Sequence, residues 1–166
     1  MGYTTDFYGS FELDRPLDDD TYKLLKGLSR TRRMKRQGLD AKYGTEGEFY
    51  YNEDSTDMGQ ERDESIVNFN EPPSTQPDLW CSWEPTEERT KIVWNEMEKF
   101  YEYVPWIVYL VDRILKPRGY VLDGTVEWQG EDSDDFGEIV IEENHVYIRN
   151  GERVLGVKQL VNQEGA

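Results

Sequence analysis

The sequence predicts an α+β fold: an antiparallel sheet with two helices on one face, in the split-βαβ, ferredoxin-like order. A C-terminal β-hairpin extends it and a long insertion interrupts it. Two observations lead to this fold. Apolar residues alternate with period two at both ends of the chain, and two stretches of helical spacing fall between, giving the order β-α-insertion-β-β-α-β-β-β. The interior can also be supplied. Hydrophobic residues are only 36% of the chain, but five Trp and eleven Tyr are among them, and each large ring removes about 150–250 Å² from water. That suffices for one domain over residues 1–158, with 37–78 as its insertion and 159–166 as a flexible tail.

The elements follow in order. Tyr3, Thr5, Phe7, Phe11 and Leu13 share one face of a first strand, while Thr4, Asp6, Ser10 and Glu12 point the other way. Gly9 falls on the apolar face, where it leaves a gap or marks a bulge. Pro16 and Asp18-Asp19-Asp20 open a helix whose stripe is Leu24, Leu25, Leu28 and Met34, with bases gathered toward its C-terminal end. Within the insertion, Glu48–Tyr51 and Ser65–Phe69 read as two short strands paired with each other. Leu79–Glu84 and Lys91–Met97 form a hairpin bearing Trp80, Trp83 and Trp94. A helix spans 100–116, with Pro105 in its first turn and Pro117 and Gly119 at its end. A meander closes the domain: Tyr120–Trp128, Ile139–Ile141 and Val146–Ile148. A turn at Asn150-Gly151 then leads into a strand at Glu152–Leu155.

Charge is the extreme property, −16 with a sequence pI near 4.4. It is unevenly spread: residues 21–36 hold seven bases and no acid, and every other region is net acidic. Such a field repels nucleic acid and anionic membrane and draws in basic partners. No stretch reaches the roughly 20 apolar residues of a membrane span, and no signal pattern opens the chain, so the expected setting is cytoplasmic. Cys81 is the single cysteine, which excludes an internal disulfide and a Cys-based zinc site.

Candidate chemistry is sparse. Asp132, Asp134, Gly137, Ile139 and Glu143 match the spacing of a calcium loop, but Phe136 offers no oxygen and the flanks are strands. An acidic hairpin loop is the preferred reading, with no metal and no cofactor. His145, the sole histidine, reads as a turn residue, and Cys81 between Trp80 and Trp83 as a buried, inert thiol.

Gly2-Tyr3-Thr4-Thr5-Asp6-Phe7, Arg32-Arg33-Met34-Lys35-Arg36, Gly47-Glu48-Phe49-Tyr50 and Asn70-Glu71-Pro72-Pro73 stand out as motifs, with Gln76–Trp83 and Gly124–Asp132. Through them the chain resembles, over residues 2–150, a family of small acidic proteins of bacteria and their phages to which no activity is attached. The resemblance implies a prokaryotic or viral setting and no mechanism.

The expected function is a non-catalytic, acidic protein-interaction module, in its sharper form a phage-type, anti-defence inhibitor that presents carboxylates to a basic, nucleic-acid-binding surface. The residues expected to do so are Glu53, Asp54, Asp57, Glu61, Asp63, Glu64, Glu131, Asp132, Asp134 and Asp135. Two alternatives stand beside it. One is nucleic-acid or ribosome binding through a basic helix end, Arg30, Arg32, Arg33, Lys35 and Arg36, although pairing with the acids that follow accounts for this run as well. The other is an enzyme with a pocket under the insertion, with Glu48, Asp63 or Glu131 as base and Trp80 or Trp83 as platform.

Overall fold

Strand β1 (Thr5–Leu13) lies inside the sheet, and its alternation sets which side is covered. Thr5, Phe7 and Phe11 are buried, while Asp6, Tyr8 and Glu12 face outward. A computed structural model describes residues 2–53, 60–151 and 159–161.

Helix α1 (Asp19–Arg30) begins where the acidic run caps it: the Asp18 carboxylate accepts the Thr21 amide at 2.8 Å. Leu24, Leu25 and Leu28 are buried. The helix stops at Arg30, short of the expected end, and Thr31 is already extended. The chain beyond it is held straight by the insertion, since the amides of Arg33, Lys35 and Gln37 donate to the carbonyls of Leu79, Glu71 and Ser65. Of the five basic candidates only Arg30 belongs to the helix end, and Arg32 to Arg36 lie beyond it on this hydrogen-bonded segment.

Within the insertion, β2 (Lys35–Arg36) pairs antiparallel with β3 (Ile66–Asn68). The strand expected at Glu48–Tyr51 is absent. Left-handed Gly44, Glu46 and Gly47 curl this part into two 3₁₀ turns, Ala41–Tyr43 and Thr45–Gly47. The hairpin is shorter than its pattern, β4 (Trp83–Pro85) and β5 (Lys91–Trp94). Helix α2 (Tyr103–Leu110) starts three residues after its expected position and runs on as a π turn, Val111–Leu115, and a 3₁₀ turn ending at Gly119.

Strands β6 (Leu122–Gly130), β7 (Phe136–Glu142) and β8 (His145–Asn150) form the meander. The strand expected at Glu152–Leu155 lies outside the described residues. Part of the expected flexible tail is instead built in: β9 (Gln159–Leu160) pairs with β8, and Val161 packs against the core.

The sheet order is β4-β5-β1-β6-β7-β8-β9, and every neighbouring pair is antiparallel. Residues from both helices join the inward side of the sheet in a single core. Phe7 is its hub, with Trp83, Trp94, Phe100 and Tyr103 at 5.0–5.7 Å between ring centroids. Gly9 produces no bulge. The β1–β6 ladder runs unbroken from Thr5↔Gly130 to Leu13↔Leu122. Gly9 (φ 108°) and Gly124 (φ 132°) let the two strands coil tightly, because a Cβ on either would sit 2.7–2.8 Å from a carbonyl oxygen of the other strand.

Candidate functional site

The five basic candidates are mostly turned inward. Arg33 is 2% exposed; its Nη2 donates to the carbonyls of Gly47, Glu48 and Tyr50 at 3.4, 3.2 and 2.7 Å, and its Nε to Gln76 at 3.2 Å. Burial in this carbonyl cage, with no carboxylate bonded to it, lowers the guanidinium to about 10. Arg36 is buried over the Tyr50 ring and pairs with Asp63 at 3.0 Å. Lys35 bridges Glu46 and Glu71. Arg32 stacks on Phe69 and donates to its carbonyl. Only Arg30 is largely exposed, 4.0 Å from Glu84. The run fastens the insertion to the domain.

Glu48 completes that fastening. Its side chain is 2% exposed. It accepts from Tyr109 at 2.8 Å, Arg113 at 2.7 and 3.3 Å, Thr75 at 3.1 Å and the Thr45 amide at 3.1 Å. The π turn of α2 carries Arg113. Burial pushes the Glu48 carboxyl up, but Arg113, Tyr109 and the Thr45 amide together outweigh it and hold the group below its ordinary value. Burial also raises the Tyr109 phenol. With every lone pair occupied, Glu48 is an ion-pair anchor and not an available base.

The acidic candidates separate into two groups. Asp135 accepts from the Tyr3 hydroxyl at 2.6 Å and the Trp128 indole at 3.0 Å, and Glu131 accepts the Thr4 amide at 2.6 Å. These two hold the β6–β7 hairpin to the start of β1, and Asp63 holds Arg36. Glu53, Glu64, Asp132 and Asp134 are exposed, and Glu61 is half-buried. Asp54 and Asp57 lie outside the described residues. Asp132 and Asp134 do not meet Glu143, which sits past the far end of β7. Among the described residues no group of three His, Cys, Asp or Glu is placed to hold a metal.

The larger acidic surface is the outer face of the sheet. Cross-strand register sets Lys91, Glu12 and Asp123 in one row, and Tyr8, Glu127, Glu138 and Arg149 in another. A third holds Asp6, Gln129 and Phe136, and Glu142 faces His145. Six carboxylates thus share this face with two formal cations, one of which, Arg149, is bound to Glu138 at 2.9 Å. Tyr8 (56%) and Phe136 (38%) are among the few large apolar side chains exposed.

On the helix side, α1, the Tyr51–Glu53 arm, the Asp78–Trp80 segment and the Asn95–Glu102 strap enclose a groove of about 1150 Å³. Trp80 lines it; Trp83 is 1% exposed and belongs to the core. None of Glu48, Asp63 and Glu131 lines it. Cys81 is buried, and desolvation pushes its thiol up to about 12. His145 is exposed on β8, with Nδ1 3.1 Å from the Glu143 carbonyl.

No family model, curated protein or solved structure matches this chain. The outer-face carboxylates had a signal in the sequence, since Asp6 and Glu12 stand at the outward positions of an alternating strand. The groove had none, because its walls come from four separate segments.

Proposed function

We propose that the protein is a non-catalytic interaction module whose outer sheet face docks on a basic surface of a partner protein. The observation that carries this is the row geometry of that face. Asp6, Glu12, Asp123 and Glu127 are exposed on adjacent antiparallel strands, with Tyr8 between them for apolar contact. A rigid sheet holds these charges at fixed spacing, so little ordering entropy is lost on binding, and the −16 charge steers a cationic partner toward it. Asp132 and Asp134, on the exposed β6–β7 turn, extend the acidic surface.

The same reading treats β4, β5, β1 and β6 with the two helices as a split-βαβ unit, ferredoxin-like in order, extended by β7, β8 and β9. It places the module in the cytoplasm of a bacterial or phage-infected cell, where a nucleic-acid-binding protein has the required basic surface. The basic run is a poor rival surface, because Arg33 and Arg36 are spent inside the fold.

The test is a comparison of wild type with a Asp6→Asn, Glu12→Gln, Glu127→Gln, Asp134→Asn variant. None of these four side chains anchors the fold. A Lys/Arg-rich peptide titrated into labelled protein should shift resonances of β1, β6 and β7, and the variant should lose most of the affinity. Equal binding by the variant, or shifts confined to the helix side, defeats the proposal.

A further inference from the structure

The helix-side groove lies apart from the acidic face, and its chemistry differs. Four of the five tryptophans, Trp83, Trp94, Trp106 and Trp128, are engaged in ring–ring contacts. Trp80 is the exception: among the described residues it makes no ring contact, and its indole N–H has no hydrogen-bond partner. It is half-buried on the groove wall. Such a ring is an idle stacking platform.

The part of the lining that α1 supplies is cationic. Lys23, Lys26 and Arg30 follow one another at helical spacing on α1 and all line the groove. Lys26 and Arg30 share a single carboxylate, Glu84, at 3.5 and 4.0 Å. Lys23 is exposed and has no ion pair among the described residues. The groove lining as a whole holds four bases and four acids, so in a chain of charge −16 it is a locally neutral region in which three of the cations cluster on α1.

The remaining walls are shaped for close contact. Tyr51 lies flat against α1, which only a glycine at position 27 permits: a Cβ there would be 2.2 Å from the Tyr51 ring. Across the groove, the strap holds three non-glycine residues, Glu96, Lys99 and Glu102, in left-handed conformations (φ 66°, 61° and 56°). Backbone of this kind is costly and persists where surrounding structure enforces it. Here it leaves Met97 (57%) and Tyr101 (43%) exposed on the rim while Phe100 is anchored in the core.

We propose that this groove binds a mononucleotide, with the base stacked on Trp80 and the phosphate held by Lys23, Lys26 and Arg30. A ring with a single anionic head suits a groove whose lining holds both a cluster of cations and an unpartnered aromatic ring, and the volume exceeds what one nucleotide needs. A longer strand does not suit it. Glu53, Asp78 and Glu98 stand on the other walls and would face any second or third phosphate, and the field of the whole molecule opposes a polyanion.

The experiment titrates AMP, adenosine, inorganic phosphate and a short oligoadenylate into labelled full-length protein, following the Trp80 indole resonance and the amides of α1. AMP should move both, with adenosine and phosphate each at least about tenfold weaker. Lys23→Ala with Lys26→Ala should weaken AMP about tenfold, roughly 1.4 kcal/mol. Trp80→Ala should do the same, and Trp80→Phe should keep most of the affinity. Lys23→Glu alone serves if the double variant loses its fold, because Lys23 is exposed and its electrostatic neighbour, Asp19, is itself on the surface of α1. The proposal is overturned if AMP at about 5 mM leaves Trp80 unmoved, if shifts map outside the groove, or if the oligoadenylate binds far more tightly than AMP. Failure here would leave the outer-face proposal intact, since the two surfaces share no residue.

Discussion

Glu48 shows how a single side chain ties remote segments together. It links the insertion, through Thr45 and Thr75, to Tyr109 and Arg113 of the α2 segment. Removing its charge by Glu48→Gln breaks the Arg113–Glu48 ion pair and gives the Tyr109 hydroxyl a weaker acceptor. Urea unfolding should show a loss of about 2–3 kcal/mol, below the figure for a fully buried pair because Arg113 is about a third exposed. The pH dependence follows from the direction of the shift. A carboxyl held below its ordinary 4.5 in the folded state stabilises at pH values above that figure. The contribution is lost as pH falls through the lowered folded value. Stability of wild type should therefore drop on acidification below pH 4.5, and the Glu48→Gln variant should drop less. A Glu48→Gln protein with unchanged stability and unchanged acid sensitivity would contradict this role.

At the scale of elements, the close β1–β6 pairing depends on two glycines. Gly9→Ala and Gly124→Ala each force a Cβ against a carbonyl of the neighbouring strand, in a backbone region that side chains avoid. Each should cost about 2–4 kcal/mol, read as a lowered thermal midpoint. The strands were largely legible in the sequence because alternation is a local signal, and β1, β6, β7 and β8 lie where it places them. Gly9 itself misled: a lone glycine in a strand has the same sequence signature for a bulge as for a close backbone approach, and only Gly124 across the ladder separates the two. The basic run was legible in part. Pairing with the acids that follow it was expected, and Lys35 and Arg36 do meet Glu46, Glu71 and Asp63, but the carbonyl cage around Arg33 is a set of contacts that no local pattern encodes. The same limit hid the end of α1. Residues 31–37 are extended because the insertion supplies hydrogen-bond partners, not because their own propensities forbid a helix.

For the whole molecule, the distribution of charge sets the behaviour. Four cations of the basic run, Arg32, Arg33, Lys35 and Arg36, are consumed in holding the insertion, and the outer sheet face and the β6–β7 turn are left with a surplus of acid. Binding to any basic partner through that face should weaken steeply between about 50 and 200 mM salt, as the screening length falls from roughly 14 to roughly 7 Å. Surface plasmon resonance at two salt concentrations checks this, and a salt-independent affinity would point to apolar contact through Tyr8 and Phe136 instead. Among the described residues no helix is long and apolar enough to cross a membrane.

The unbroken β1–β6 ladder joins residues more than a hundred positions apart. During synthesis β1 leaves the ribosome well before β6, and its longest partner is not complete until residue 130 has been added. Until then β1 has only the short β5 strand as a hydrogen-bonded neighbour, and that pairs with Phe11 and Glu12 alone. A nascent chain halted before β6 should thus be prone to sticking to other chains, and the final docking of two distant strands should set the pace of maturation.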